Sequence, residues 1–260
     1  MKTNLLLLIV LFWCAAASGQ VLYSVTFEPP RHQVGERTAV GGSDAPSRVL
    51  LGRPTVRESN GVFTTQYLEF EGSPSEFGRH HGQIGFDISV DAPKYRIEFD
   101  MVVEALEFSC CEFFSVLAFG STWHNAFDFR GGSAVAWNYQ SKMDGAGGGF
   151  THNGSALPID VELHFRAIIE IENQRWRVTL DGQPIQPYGP YIPFHSDPGE
   201  NLQSLRIYFA DSRTYGDSSV GVDNIVITAV PEPTSLILSF VLGILVLVRW
   251  TFRSKSAGAE

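Results

Sequence analysis

Residues 161–182 read VELHFRAIIEIENQRWRVTLDG, two runs of alternating character on either side of Asn173 and Gln174. Alternation with a period of two marks a strand with one wet face and one dry face. A polar pair tolerant of positive φ between two such runs predicts a β-hairpin with a two-residue turn. Pairing outward from that turn sets Glu172 against Arg175, Glu170 against Arg177 and Arg166 against Asp181 on one face. The other face then pairs Ile171 with Trp176, Ile169 with Val178 and Ala167 with Leu180. A slip of one residue would exchange the faces and undo both sets. Opposite charges across a strand pair contribute less than about 1 kcal/mol each. Glu170 and Glu172 are therefore read as register and solvation groups, not as catalytic acids.

The same alternation recurs along the body of the chain. Strands are expected at 21–27, 63–71, 83–89, 95–103, 113–119, 126–130, 134–138, 161–172, 175–181, 205–209 and 220–228, separated by clusters of Gly, Pro, Asn, Asp and Ser. No long stretch carries the three-to-four-residue apolar spacing of an amphipathic helix. The expected fold class is all-β, a two-sheet jelly-roll sandwich over 21–229. Hydrophobic residues make up 44% of the 260, too many for a disordered chain. Between positions 20 and 230 there are 26 acidic and 15 basic residues, a net charge of −11. A body of that sign repels phosphate backbones, so nucleic acid is excluded as an expected partner.

The two ends differ from the body. Residues 1–20, MKTNLLLLIVLFWCAAASGQ, place Lys2 before an apolar run at 5–13 and then small residues, the build of a secretory signal peptide cut between Ala17 and Val21. At the other end Val230, Pro231, Glu232 and Pro233 precede an uncharged apolar segment at 234–248, followed by Arg249, Arg253 and Lys255. With Trp250 and Phe252 the segment extends to a transmembrane helix over about 234–252. Basic residues on its far side put the tail in the cytoplasm and the body outside. The order of these elements in 230–260 resembles the PEP-CTERM sorting signal of Gram-negative bacteria. That resemblance implies recognition by an exosortase-type membrane protease. It also implies a place at the cell surface or in an exopolysaccharide matrix.

Several features carry candidate chemistry. In residues 98–104, EFDMVVE, alternation puts Glu98, Asp100 and Glu104 on one face of a strand, where paired carboxyl groups could act as glycosidase acid and nucleophile. A half-buried strand with a solvated acidic face gives the same letters. Glu28 near the first strand and Asp223 in the last are candidate ligands of a structural Ca2+, which takes hard oxygen donors; a backbone hydrogen bond would satisfy the same acid equally well. Aromatic platforms for sugar are offered by Trp123, Trp137, Tyr188 and Tyr191. After signal removal only Cys110 and Cys111 remain, too few for a disulfide framework. No repeated zinc-ligand spacing and no Gly-x-Ser-x-Gly elbow occurs.

The segments Val25-Thr26-Phe27-Glu28, Tyr67-Leu68-Glu69-Phe70-Glu71-Gly72, Leu180-Asp181-Gly182 and Val222-Asp223-Asn224-Ile225-Val226-Ile227, taken in order, resemble concanavalin A-like, laminin G-type jelly rolls. The resemblance implies that the first and last strands lie together in one sheet, and a role in binding glycans or proteins. Laminarinase-like glycoside hydrolases share that fold and use a Glu-x-Asp-x-(x)-Glu strand; the spacing from Asp100 to Glu104 is one residue longer. The reading adopted is an exported, non-catalytic glycan-binding or structural module with polysaccharide as partner. Its alternative is a secreted polysaccharide hydrolase that uses Glu98, Asp100 and Glu104. The two separate on whether those carboxyl groups converge in an open groove or pair with Arg.

Overall fold

The computed structural model describes residues 19–51, 54–71, 80–105, 112–120, 124–130, 136–138, 151–153, 158–184, 191–194, 201–211 and 219–231. The apolar segments at 5–13 and 234–248, the two cysteines, Trp123 and Tyr188 lie outside these residues. Among the described residues no helix is long and apolar enough to cross a membrane.

Among the described residues there are sixteen strands. The first eight are β1 (Gln20–Val25), β2 (Arg48–Leu51), β3 (Thr55–Arg57), β4 (Tyr67–Glu71), β5 (His80–Asp87), β6 (Lys94–Ala105), β7 (Glu112–Phe119) and β8 (His124–Arg130). There follow β9 (Ala136–Asn138), β10 (Thr151–Asn153), β11 (Glu162–Glu170), β12 (Arg175–Leu180), β13 (Gln183–Pro184), β14 (Ile192–Pro193), β15 (Ser204–Asp211) and β16 (Ser219–Val230). All eleven expected strands are present. The unexpected ones, β2, β3, β10, β13 and β14, are two to four residues long, too short to display a period.

The strands form two antiparallel sheets. One has nine strands in the order β13-β12-β11-β6-β16-β4-β3, with β1 beside β16 and β14 beside β12; the other has seven, β10-β9-β8-β7-β15-β5-β2. As the jelly-roll resemblance implied, first and last strands pair, Gln20 opposite Ala229 and Val25 opposite Ile225. Gly19 and Pro231 therefore lie at the same end of the nine-stranded sheet.

Period-two alternation explains which residues fill the space between the sheets. Ile97, Phe99 and Met101 of β6, Phe165, Ala167 and Ile169 of β11, and Phe114, Val116 and Ala118 of β7 are all buried in one hydrophobic core. Phe99 from one sheet meets Phe114 from the other with ring centroids 5.9 Å apart, and Phe165 meets Phe127 at the same distance. Such rings contribute beyond their buried area because edge and tilted contacts suit their quadrupoles.

The hairpin that opened the reading is real, but its register differs from the expectation. Glu170 faces Arg175, Ile169 faces Trp176 and Ala167 faces Val178, so the turn has four residues, 171–174, in place of two. Of the two expected turn residues only Gln174 adopts positive φ, 50°, whereas a two-residue turn of type I′ needs it at both. Closing the loop at Glu170 also lets that carboxylate meet Lys94 of β6 at 3.0 Å as well as Arg175. The shift is by two residues, so each side chain keeps its face: Trp176 and Val178 are fully buried.

Candidate functional site

The acidic face of β6 is the first place to look for chemistry. Glu98, Asp100 and Glu104 do share one face; His164 stands beside the first two, and Glu104 is engaged by a separate set of groups. Glu98 accepts a hydrogen bond from Arg166 Nε, lies 2.8 Å from Arg96 Nε and 3.8 Å from His164 Nε2. Asp100 lies 2.7 Å from His164 Nδ1 and accepts from Asn224 Nδ2 at 2.8 Å. Glu104 accepts from Asn60 Nδ2 and from Tyr67 Oη, each at 2.6 Å, and from Ser219 Oγ at 3.4 Å. Burial and the Glu104 carboxylate together push the Tyr67 phenol above its usual range.

Between Asp100 and Glu104, Val102 of the same face is buried against Phe63 and Tyr67. The loop before β4 therefore lies over the middle of the row. At about 3.3 Å per residue, Glu98 and Glu104 are roughly 20 Å apart along the strand, far beyond the 5–5.5 Å of a retaining pair and the 6.5–9.5 Å of an inverting one. Glu98 and Glu104 pair with cations and loop donors and do not converge.

Glu28 and Asp223, the candidate calcium ligands, are brought together on the same loop. Glu28 Oε1 accepts from the Gln66 amide at 2.9 Å and Asp223 Oδ2 from Thr65 Oγ1 at 2.7 Å. Asp223 is 1% exposed. Burial pushes its carboxyl up, helped by the Glu28 charge and opposed by the Thr65 hydroxyl and the backbone amides of Asn224 and Phe27. A bulge places it there: Asp223 faces Asp100 and Val226 faces Glu98, so β16 has one residue more than β6, and Asn224 takes up positive φ at 53°.

Two buried oxygens of this neighbourhood, Asp223 Oδ1 and Gln66 Oε1, have no hydrogen-bond partner. Among the described residues no group of three or more His, Cys, Asp or Glu side chains could hold a metal ion. A cation here would draw on Glu28 and Asp223 together with neutral oxygens, a donor set of the hard kind that suits Ca2+.

Of the aromatic candidates, Tyr191 is 36% exposed, and the Arg175 guanidinium stacks on its ring at 3.6 Å from the centroid. Trp137 lies in β9 opposite Phe129 and His152. Trp123 and Tyr188 lie outside the described residues.

The sequence reading missed the outward face of the seven-stranded sheet. In β5, β15 and β7 the residues alternating with the core are Gln83, Gly85 and Asp87; Ser204, Arg206 and Tyr208; and Ser115, Leu117 and Phe119. Register aligns Gln83, Tyr208 and Ser115 in one cross-strand row, with Asp128 and Asn138 continuing it in β8 and β9. Gln83 is 6% and Ser115 0% exposed although both point away from the core, so this face is a sheltered polar floor. The adjacent row is Arg48, Gly85, Arg206 and Leu117. There the Arg206 guanidinium stacks on Phe119 at 3.8 Å from the ring centroid. Polar letters at alternate positions of 83–87 and 204–208 hinted at an outward face; nothing local could show that these segments are neighbours.

No protein-family model and no curated protein matches the sequence. Among solved structures the chain is similar to "Cellulose induced protein, Cip1", at 13% identity over 80% of this chain and 98% of that one, with a TM-score of 0.50. It is similar to the binding domain of botulinum neurotoxin DC in complex with rat synaptotagmin II, at 10% identity over 84% of this chain and 50% of that one, TM-score 0.51. A structure of that binding domain in complex with SialylT gives 10% identity, 85% and 50% coverage, and a TM-score of 0.50. At these identities the likeness is of fold, the two-sheet β-sandwich. The chain spans about half the length of the neurotoxin structures it matches.

Proposed function

We propose that this chain is a non-catalytic glycan-binding module of a bacterial cell surface or extracellular matrix, and that the outward face of its seven-stranded sheet takes the sugar. The observation that carries this reading is the outward row Gln83–Tyr208–Ser115, in which a half-buried tyrosine stands between two buried polar groups beside Arg206. Sheltered donors and acceptors beside an aromatic ring are what a polyhydroxylated ligand needs. A fold shared with a neurotoxin binding domain seen with SialylT supports the reading without assigning a ligand. Against hydrolysis stands the separation of Glu98 from Glu104 and their engagement by Arg166, Arg96, Asn60 and Tyr67.

The ends complete the proposal. The signal-like segment exports the body, and the Val230-Pro231-Glu232-Pro233 motif with the apolar segment after it holds the body at the membrane for an exosortase-type protease. A structural Ca2+ at Glu28 and Asp223 is part of the same reading, supported by the two partnerless oxygens beside them.

A glycan array probed with the full chain in detergent, followed by calorimetric titration of the hits, tests the function. Binding that Arg206→Ala weakens is expected. An array with no ligand at millimolar sugar refutes glycan recognition, and turnover of any polysaccharide that Glu98→Gln abolishes refutes the non-catalytic assignment.

A further inference from the structure

The sheltered face has a charge anomaly. In a body of net charge −11, two arginines converge on one glycine: Arg48 of β2 and Arg206 of β15 are both direct cross-strand partners of Gly85 in β5. Their Cα atoms are two strand spacings apart, roughly 10 Å. Gly85 has no side chain, and the space above it is taken by Leu50 and by the Arg48 stem. A Cβ placed there would stand 3.2 Å from Leu50 Cδ1 and 3.5 Å from Arg48 Cγ, so the Arg48 stem leans across the glycine toward Arg206. The two guanidiniums affect one another. Burial first, and then the Arg48 charge, lower the Arg206 pKa from its ordinary value, with Asp87 opposing.

Asp87 is the carboxylate at hand, and Arg48 Nη2 already bonds its Oδ1. Arg206 Nε is buried with no hydrogen-bond partner. Among the described residues, one carboxylate between two guanidiniums leaves a unit of positive charge uncompensated in a half-buried place. A buried donor without a partner is costly to fold around. A ligand that brings its own anion offsets that charge.

We propose that Arg206, with Arg48 beside it, binds the carboxylate of an acidic sugar, so that the ligand of this face is a uronic acid-containing polysaccharide. The inference rests on the glycan-binding reading and names its substrate class. The guanidinium fork matches a planar carboxylate. The Phe119 ring under Arg206 holds the fork in place, and half-buried Tyr208 stands in the adjacent row. The net charge of the body opposes any long polyanion at a distance. Short oligomers at physiological salt, where charges are screened beyond about 8 Å, are therefore the appropriate probe.

The experiment titrates the full chain with galacturonate and mannuronate oligomers and with the same oligomers after reduction of their carboxyl groups to alcohols. The acid forms are expected to bind at least about tenfold more tightly than the reduced forms, the scale of one charge-assisted hydrogen bond. Arg206→Ala is expected to abolish that preference, and Arg206→Lys to restore it only in part. Arg48→Ala alters a side chain that is 46% exposed; it is expected to reduce the preference several-fold without loss of the folded state, and it carries the test should Arg206→Ala unfold. Arg177→Ala, an exposed arginine on the opposite sheet, is expected to leave binding unchanged. Equal binding of acid and reduced oligomers, or a preference unaffected by both Arg206→Ala and Arg48→Ala, overturns the proposal while the glycan-binding reading stands. Binding of no sugar of either kind overturns both.

Discussion

Replacing Asp223 with Asn asks whether the buried acid of β16 is there for a cation. Asp223 is 1% exposed, and its Oδ1 meets no donor. An unmet buried acceptor costs about 1–3 kcal/mol, and more if charged. Asp223→Asn keeps an oxygen for the Thr65 hydroxyl and puts a neutral amide where the unmet oxygen stood, so what it relieves is the buried charge. In chelator the variant is thus expected to be more stable by about 1–3 kcal/mol, or roughly 3–10 °C in Tm for a domain of this size. Calcium at a hundred times its Kd would add about 2.7 kcal/mol to the native chain alone, reversing the order. Differential scanning calorimetry at neutral pH, with EDTA and then with CaCl2, reads both effects.

The pH dependence supplies a sign to check. Because the folded carboxyl lies above its ordinary value of 3.8, the stability linked to its protonation is fully present below that value. It is lost as pH rises through the folded pKa. In chelator the native chain should therefore gain on the variant as pH falls from neutrality, and calcium should abolish that gain. A variant that melts below the native chain in EDTA, or equal calcium shifts in the two proteins, would refute the reasoning.

Other substitutions probe the rest of the fold. Burial works to raise the Glu170 carboxyl, but hydrogen bonds and charge from Arg175 and Lys94 outweigh it and hold the group below 4.5. Its contribution is present above that value and is lost as pH falls through the folded pKa, so urea unfolding should show an acid loss that Glu170→Gln flattens. Glu170→Gln should cost about 2 kcal/mol, less than the 3–5 of a fully buried pair, because its Lys94 and Arg175 partners are 28% and 34% exposed. Gly221→Ala would put a Cβ 2.8 Å from Tyr67 Cδ2 and 3.0 Å from Phe63 Cε2. With the Tyr67 hydroxyl held by Glu104, this overpacking should cost about 1–3 kcal/mol in the same assay. Glu98→Gln should leave reducing-sugar release from β-glucan at background, as in the native chain; release that only the native protein produces would contradict the geometry.

What the sequence could reveal follows from the range of the interactions involved. Period-two alternation is local, so 95–103 and 161–181 announce strands, their inner faces and therefore a β-sandwich. The hairpin register was two residues out because it is decided by a third strand: Lys94 of β6 draws Glu170 into the pair with Arg175, and letters 171–174 alone do not contain Lys94. The acidic strand shows the same limit in its chemistry. EFDMVVE reads identically for a glycosidase and for a solvated face. The deciding groups, Arg166 on β11, Asn224 on β16, Asn60 in the loop before β4 and Tyr67 at the start of β4, come from segments 37 to 124 positions away. The arginine pair at Gly85 was the least legible feature, since Arg48, Gly85 and Arg206 become neighbours only once β5 is seated between β2 and β15. Alternation along a strand thus predicts where a side chain points, whereas its function depends on what adjacent strands bring to the same row, and in an antiparallel sandwich those strands are distant in sequence.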